Sequence, residues 1–202
     1  MLVCGNTARG VYPTDEYPRV LIDITGVQEL KGYTVDQNLT VNAGTTLTDF
    51  SKILQIVAKE EDFGYLKKIN EHILNVAHIP IRNVASIAGN LMIKNQHHWF
   101  ASDIFLLLEM IGAQVTIQNR MSGKRILTMQ QFLKVNMKGS VIWNVMLPPL
   151  CKEDHVITFK VMPRSQNASA LINAGFLYKL GPNNIVKCAR IVFGALSPTF
   201  IR

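Results

Sequence analysis

The chain of 202 residues has few charged side chains, few cysteines and no long apolar run. Charged residues make up 17% of it and hydrophobic residues 48%. This balance excludes intrinsic disorder and predicts a folded protein with a substantial core. The longest apolar stretch, "IFLLLEMIGAQV" at residues 104–115, contains Glu109 and is shorter than the roughly 20 residues that a membrane-spanning helix needs. We therefore predict a soluble protein with no membrane partner.

The sequence also lacks a secretory signal and any cysteine pattern. The opening "MLVCGNTARG" has neither the basic start nor the apolar centre of a signal peptide. Cys4, Cys151 and Cys188 show no paired or metal-ligand spacing, and an odd number suits a reducing compartment. No carboxylate or cysteine stands at ligand spacing from the adjacent His97 and His98. We predict a cytoplasmic location and no bound metal.

The net charge of +7 is the one bulk property that indicates a partner. The basic residues are scattered, and neither adjacent pair, Lys67-Lys68 or Lys124-Arg125, is interleaved with the aromatic residues of a single-strand platform. Nucleic-acid binding thus has only the charge in its favour, and we predict a solvated basic surface and no nucleic-acid partner. The same positive field would favour an anionic cofactor.

Strands and helices alternate in the first three quarters of the sequence. The β-branched runs at residues 19–25 and 38–44 predict strands, and Thr46 offers a cap to a segment with apolar residues at helical spacing, 50–60. A second helical pattern, 65–77, is predicted to end near Pro80.

Prolines at 148 and 149 and the polar "CKEDH" mark the clearest boundary. Before it, residues 103–113 predict a buried helix or strand, and residues 113–129 a hairpin. Beyond it, three runs predict an antiparallel meander. We predict an α+β fold with a first α/β subdomain at 1–58, a second at 59–148 and an antiparallel α+β subdomain at 149–202.

Two segments have unusually little side-chain bulk: "LVCGNTARG" at residues 2–10 and "IRNVASIAGN" at 81–90, which we read as loops. Such a backbone lets main-chain N–H groups approach phosphate oxygens, and two of them would suit a diphosphate. Each segment could equally be a tight turn with polar capping residues, because neither matches the dinucleotide fingerprint or the P-loop. Spacing alone leaves both interpretations open.

The motifs together resemble one family. "LVCGNTARGV" resembles the first flavin-diphosphate loop of the molybdenum hydroxylases, the xanthine dehydrogenase and aldehyde oxidase family, and "IPIRNVASIAGNLMIKNQ" resembles their second flavin loop. "SDIFLLLEMIGAQV" and "IVFGALSPTFIR" resemble segments that follow. The resemblance extends from Leu2 to the last residue, and "IAGNLMIKNQHH" with "SDIF" is most similar to insect aldehyde oxidases. It implies the FAD-binding fold of the PCMH type, with the two bare segments around the FAD pyrophosphate.

The same resemblance implies the cofactor-binding residues. Backbone donors to the pyrophosphate would come from Leu2, Val3, Cys4, Gly5, Asn6, Thr7, Ala8 and Arg9. Ser86 and Asn90 would hydrogen-bond the phosphates or ribitol. Asp103 matches an acidic contact to the adenosine end, Ile142 an apolar contact to the flavin region, and Lys160 the lysine near the isoalloxazine. None is a catalytic acid, base or nucleophile, because the reactive atoms belong to the cofactor.

The resemblance also implies a role in electron transfer. FAD would take electrons from 2Fe-2S clusters while a molybdenum cofactor oxidises the substrate, both in domains absent from this sequence, which would be a fragment of a homodimeric enzyme. Val76 and Ala77 stand where xanthine dehydrogenases place a Phe beside the flavin, and Ala77 is therefore a further predicted cofactor-binding residue. The loop "VMPRSQNAS" after Lys160 has no carboxylate. These differences predict O2 rather than NAD as the acceptor. Ala8 stands where the family usually has an acidic residue. The alternative is therefore a non-catalytic remnant that keeps the fold and acts only through contacts with partners.

Overall fold

Helices, two antiparallel sheets and one short parallel strand pair make up the computed structural model, which describes residues 1–12, 18–165 and 168–197. The strands are β1 Leu2–Val3, β2 Ile22–Asp23, β3 Tyr33–Val35, β4 Leu39–Asn42, β5 Gln114–Asn119, β6 Gly123–Thr128, β7 Ser140–Leu147, β8 Asp154–Val161, β9 Ile172–Leu180 and β10 Val186–Gly194. The helices are α1 Leu47–Val57, α2 Leu66–Ile73, α3 Ile79–Arg82, α4 Ile87–Gln96, α5 Asp103–Ile111 and α6 Met129–Leu133. Short 3-10 helices cover Gln28–Leu30, Glu61–Phe63 and Pro182–Asn184. The predicted α+β class is confirmed.

The central sheet has five strands in the order β3-β4-β7-β5-β6, with every neighbouring pair antiparallel. Because β4 pairs with β7, this sheet contains strands from both predicted α/β subdomains, and their division at residue 58 stays a prediction. β1 and β2 form a separate parallel pair that precedes the sheet in the chain. The predicted hairpin is confirmed as β5 and β6, which are joined through residues 120–122.

Local sequence signals account for the first helix. Thr46 caps α1, its side chain accepting a hydrogen bond from the Asp49 N–H at 3.1 Å. Phe50, Ile53 and Leu54 then bury one face of the helix, as their spacing predicts. The predicted helix is confirmed.

The predicted loop at residues 81–90 is largely helical, so that prediction was wrong. α3 ends at Arg82, and α4 begins at Ile87 with Ser86 as its N-cap. Small residues are compatible with a helix start because the capping oxygen satisfies a free N–H there. Pro80 lies in the first turn of α3, where its missing N–H is no loss, and the preceding helix already ends at Ile73.

The predicted meander is confirmed as the sheet β10-β9-β8. One of its faces packs on α5, whose residues are all buried. The segment predicted as a buried helix or strand is therefore a helix. Gly175 allows this close packing, since a Cβ there would lie 2.8 Å from Met110 Sδ. The opposite face is apolar and exposed, with Phe159 59% exposed and its ring in edge contact with Phe176.

Among the described residues, no helix is long and apolar enough to span a bilayer. The same part of the chain contains no group of three or more His, Cys, Asp or Glu side chains that could hold a metal ion.

Candidate functional site

A cavity of about 370 Å³ separates the N-terminal segment from the start of α4, and we call it the loop cavity. Nine of the predicted cofactor residues line it: Leu2, Val3, Cys4, Asn6, Thr7, Ala8, Ser86, Asn90 and Ile142. Both bare segments therefore face one shared space. Apolar side chains such as Met92 and Ile93 complete its wall.

Gly5 lies behind this wall, where the two bare segments touch. Its φ is +71°, a left-handed conformation, and a Cβ at this position would lie 1.9 Å from the carbonyl oxygen of Val84. The next residue, Asn6, also has a positive φ of 48°. Only glycine lets the N-terminal turn approach the backbone before α4 this closely.

The N-terminal turn carries backbone donors that are not used within the protein. The N–H groups of Gly5, Asn6 and Thr7 have no acceptor among the described residues. A turn with successive free N–H groups forms a concave site for an anion. This is the arrangement that the sequence predicts for the first segment.

The second segment differs from its prediction, because its N–H groups are already bonded. Ile87 donates to the Thr45 carbonyl at 3.1 Å, Ala88 to the Ala43 carbonyl at 2.9 Å, and Gly89 to Ser86 Oγ at 3.0 Å. What the start of α4 offers to an anion is its dipole and the side chain of Asn90. The Asn90 oxygen accepts from the Ser102 hydroxyl, which leaves its amide group as a donor on the cavity wall.

Asp103 and Lys160 form a buried ion pair outside the loop cavity. Lys160 Nζ lies 2.8 Å from Asp103 Oδ2, and their side chains are 5% and 7% exposed. The predicted contacts of Asp103 to the adenosine end and of Lys160 to the isoalloxazine stay predictions, and the ion pair places the two side chains at one position in the fold. Two further buried side chains, His72 and Asn173, also contact Asp103.

Ala77 lines a second cavity of about 410 Å³, which we call the Ala77 cavity. Its wall includes Asn75, whose carbonyl oxygen accepts from Lys160 Nζ at 2.8 Å, so the ammonium lies next to this cavity. Arg82 donates to the carbonyls of Val76 and Ala77 and holds the backbone here, where Ala77 has a φ of 52°. Arg9 lines neither cavity.

Sequence reasoning missed His72 and Asn173. His72 follows Ile69 by three residues and so falls on the buried face of α2, a signal that was available. Asn173 lies in an apolar strand, and nothing local distinguishes it.

The buried environment of Asp103 makes stability depend on pH. Burial by itself would raise the pKa of Asp103, but the hydrogen bond from His72, the Lys160 charge and the Asn173 amide outweigh it and lower that pKa. A lowered pKa in the folded state adds stability above the unfolded value of about 3.9, and this stability is lost as the pH falls towards the folded value. We therefore expect the free energy of unfolding, measured by urea titration, to fall below about pH 4. Asp103→Asn should have a shallower acid slope, and equal slopes would contradict the assignment.

Comparison with known proteins identifies the family of this chain. The family described as FAD binding domain in molybdopterin dehydrogenase matches residues 1–150, and the CO dehydrogenase flavoprotein C-terminal domain matches residues 157–202. A putative aldehyde oxidase-like protein of Oryza sativa subsp. japonica is 30% identical over 96% of this chain and 16% of its own length. An indole-3-acetaldehyde oxidase of Arabidopsis thaliana is 31% identical over 96% of this chain and 15% of its own. The chain thus spans about a sixth of the length of these relatives, and the likeness to insect enzymes stays a prediction.

Solved structures share the fold. A carbon monoxide dehydrogenase from Hydrogenophaga pseudoflava that lacks the Mo-pyranopterin moiety has a TM-score of 0.82 and 18% identity, over 100% of this chain and 69% of that one. Quinoline 2-oxidoreductase from Pseudomonas putida 86 has a TM-score of 0.78 and 23% identity, over 97% of this chain and 66% of that one. With residues 1–150 matched, the chain belongs to the family of FAD-binding domains of molybdopterin dehydrogenases.

Proposed function

We propose that this chain binds FAD and serves as the electron-transferring flavin domain of an aldehyde-oxidase-like molybdenum hydroxylase. The observation that carries the proposal is the loop cavity, which Asn6 and Thr7 of the N-terminal turn line together with Ser86 and Asn90 at the start of α4. The N–H groups of Gly5, Asn6 and Thr7 in this turn have no acceptor among the described residues. This combination of donors and a helix dipole suits a pyrophosphate. The net charge of +7 adds a favourable field for the dianion.

The two cavities support an orientation for the cofactor. The pyrophosphate would lie in the loop cavity, held by the N-terminal turn and the Asn90 amide. The ring system would extend to the Ala77 cavity, beside Lys160 and Asp103. Ile142 shares the loop cavity and would then contact the adenosine end rather than the flavin region. Asp103 would correspondingly act at the flavin end through Lys160.

Bound FAD would supply the redox chemistry, since it accepts and releases electrons. The chain's own contribution is binding, orientation and charge. The Lys160 ammonium, next to the Ala77 cavity, would stabilise negative charge that develops on the ring. The iron–sulfur and molybdenum domains, the homodimer and the cytoplasmic location belong to the same proposal for the parent enzyme.

Side-chain contacts in the loop cavity give a direct test. Asn90→Ala should weaken FAD binding about tenfold or more, because a buried hydrogen bond is worth about 1–3 kcal/mol. Ser86→Ala should act in the same direction but less strongly. Trp99→Ala is the control, since Trp99 is 59% exposed and does not line the loop cavity. Fluorescence titration with FAD measures the three affinities, and equal values would contradict the assigned roles.

We propose O2 as the electron acceptor of the parent enzyme. Neither Val76 nor Ala77 supplies an aromatic ring at the Ala77 cavity, and residues 161–169 contain no carboxylate to hold a nicotinamide nucleotide. In the complete enzyme, stopped-flow reoxidation of the reduced flavin should therefore be faster with dissolved O2 than with NAD. Faster reoxidation by NAD would overturn this assignment.

A non-catalytic remnant is the second candidate, favoured by Ala8, which lines the loop cavity where the resemblance implies an acidic residue. An absorbance scan of the purified chain separates the two. A flavin spectrum that persists through gel filtration supports the first candidate, and its absence after incubation with FAD supports the second.

A further inference from the structure

Three buried side chains from three different elements converge on the carboxylate of Asp103, which belongs to a fourth element. Asp103, at the start of α5, accepts at Oδ1 from Asn173 Nδ2 of β9 at 2.7 Å and lies 3.2 Å from His72 Nε2 of α2. Its Oδ2 pairs with Lys160 of β8 at 2.8 Å. Because the pKa of Asp103 is lowered by these partners against the effect of burial, the carboxylate is ionised and His72 donates its Nε2 proton to it.

Stability alone does not explain this network. Asn173 is fully buried, and its Oδ1 has no donor among the described residues, an arrangement that destabilises the folded state. Gly194 leaves room for this oxygen, since a Cβ there would lie 1.9 Å from it. A buried ion pair is likewise often replaceable by apolar residues without loss of stability. The network therefore contains a buried Asn173 oxygen without a donor among the described residues and the two buried charges of Asp103 and Lys160. What it provides is a fixed position for those two charges.

That arrangement is oriented towards the Ala77 cavity. Lys160 Nζ bridges Asp103 Oδ2 and the carbonyl oxygen of Asn75, and Asn75 lines the cavity. The titratable or charged side chains that line the cavity itself are His78 and Arg82. Arg82 is committed to three backbone carbonyls, which leaves Lys160 as the cation whose position depends on the network.

We propose that His72 and Asn173 are positioning residues of the flavin site: by holding the Asp103 carboxylate they fix the Lys160 ammonium beside the Ala77 cavity and set the reduction potential of the bound flavin. This inference rests on the proposed function. Removal of a donor leaves more of the Asp103 negative charge uncompensated, which lowers the positive potential at the cavity. Reduction of the flavin then becomes less favourable.

The test measures the midpoint potential of FAD bound to the full chain by spectroelectrochemical titration. His72→Leu and Asn173→Ala should each change the ratio of oxidised to reduced flavin about tenfold at fixed potential, a shift of about 30 mV to lower values for a two-electron couple. His72→Gln retains an N–H donor and should restore the potential. Ser51→Ala is the matched control, because it removes a buried hydrogen bond to Asn70 of α2 that is separate from Asp103.

Lowered potentials in the two deletion variants, with values near wild type in His72→Gln and Ser51→Ala, would support the inference. Unchanged potentials in variants that retain FAD would overturn it and leave the proposed function intact. A wild-type chain that fails to bind FAD would overturn both. If His72→Leu does not fold, the midpoint potential of Asn173→Ala alone tests the inference: a lowered value supports it and an unchanged value overturns it.

Discussion

Replacement of Gly5 by alanine is expected to weaken FAD binding about 100-fold, the equivalent of about 3 kcal/mol. An L-residue in the left-handed conformation that Gly5 adopts, with φ +71°, costs about 1–2 kcal/mol. The added Cβ would in addition lie 1.9 Å from the Val84 carbonyl oxygen, a backbone atom that cannot rotate away. The N-terminal turn must therefore separate from the segment before α4, and its free N–H groups lose their position beside the loop cavity.

Gly10→Ala is the matched control in the same segment. A Cβ at Gly10 would meet no atom within 4 Å, and its φ is not in the left-handed range. Its FAD affinity should stay within about threefold of wild type, because surface substitutions usually change free energies by no more than about 0.5 kcal/mol. Fluorescence titration measures both affinities, and far-UV circular dichroism verifies that both variants fold. Equal affinities for Gly5→Ala and Gly10→Ala would show that the contact with Val84 does not shape the site.

Replacement of Lys160 by methionine is expected to lower the free energy of unfolding by about 3–5 kcal/mol. Methionine retains most of the length of the side chain but removes the charge, so Asp103 is left ionised and buried without its cation. His72 and Asn173 still donate to the carboxylate but compensate only part of its charge. Urea denaturation at neutral pH measures the loss.

Two variants isolate the cause of this loss. Lys152→Met removes a surface pair, Lys152 with Glu61, whose side chains are 77% and 76% exposed, and it should change stability by less than about 1 kcal/mol. The double variant Lys160→Met/Asp103→Leu removes both buried charges and should recover a large part of the loss. A single Lys160→Met variant as stable as wild type would mean that the pair does not exist in solution.

Elements governed by local interactions were predictable from the sequence. The cap at Thr46 and the helical spacing of Phe50, Ile53 and Leu54 specify α1, because capping and burial of one face act within a few turns. The meander after Pro149 follows from its alternating runs and turn residues in the same way. The two bare segments were recognised as a pair, and they do line one cavity.

Contacts between distant segments were decided by the tertiary structure alone. Small residues at 85–89 are compatible with both a loop and a helix start. The N–H groups of Ile87 and Ala88, which the sequence assigns to phosphate, instead donate to the carbonyls of Thr45 and Ala43. Periodicity places Asp103 and Lys160 on their own elements, but it carries no information on how α5 packs against β8 and β9. The sequence by itself determined the local elements, the two bare segments and the family resemblance. Only packing decided that Asp103 holds Lys160 and that His72 and Asn173 hold Asp103, because a buried charge selects its partners from whatever the fold brings within hydrogen-bonding distance.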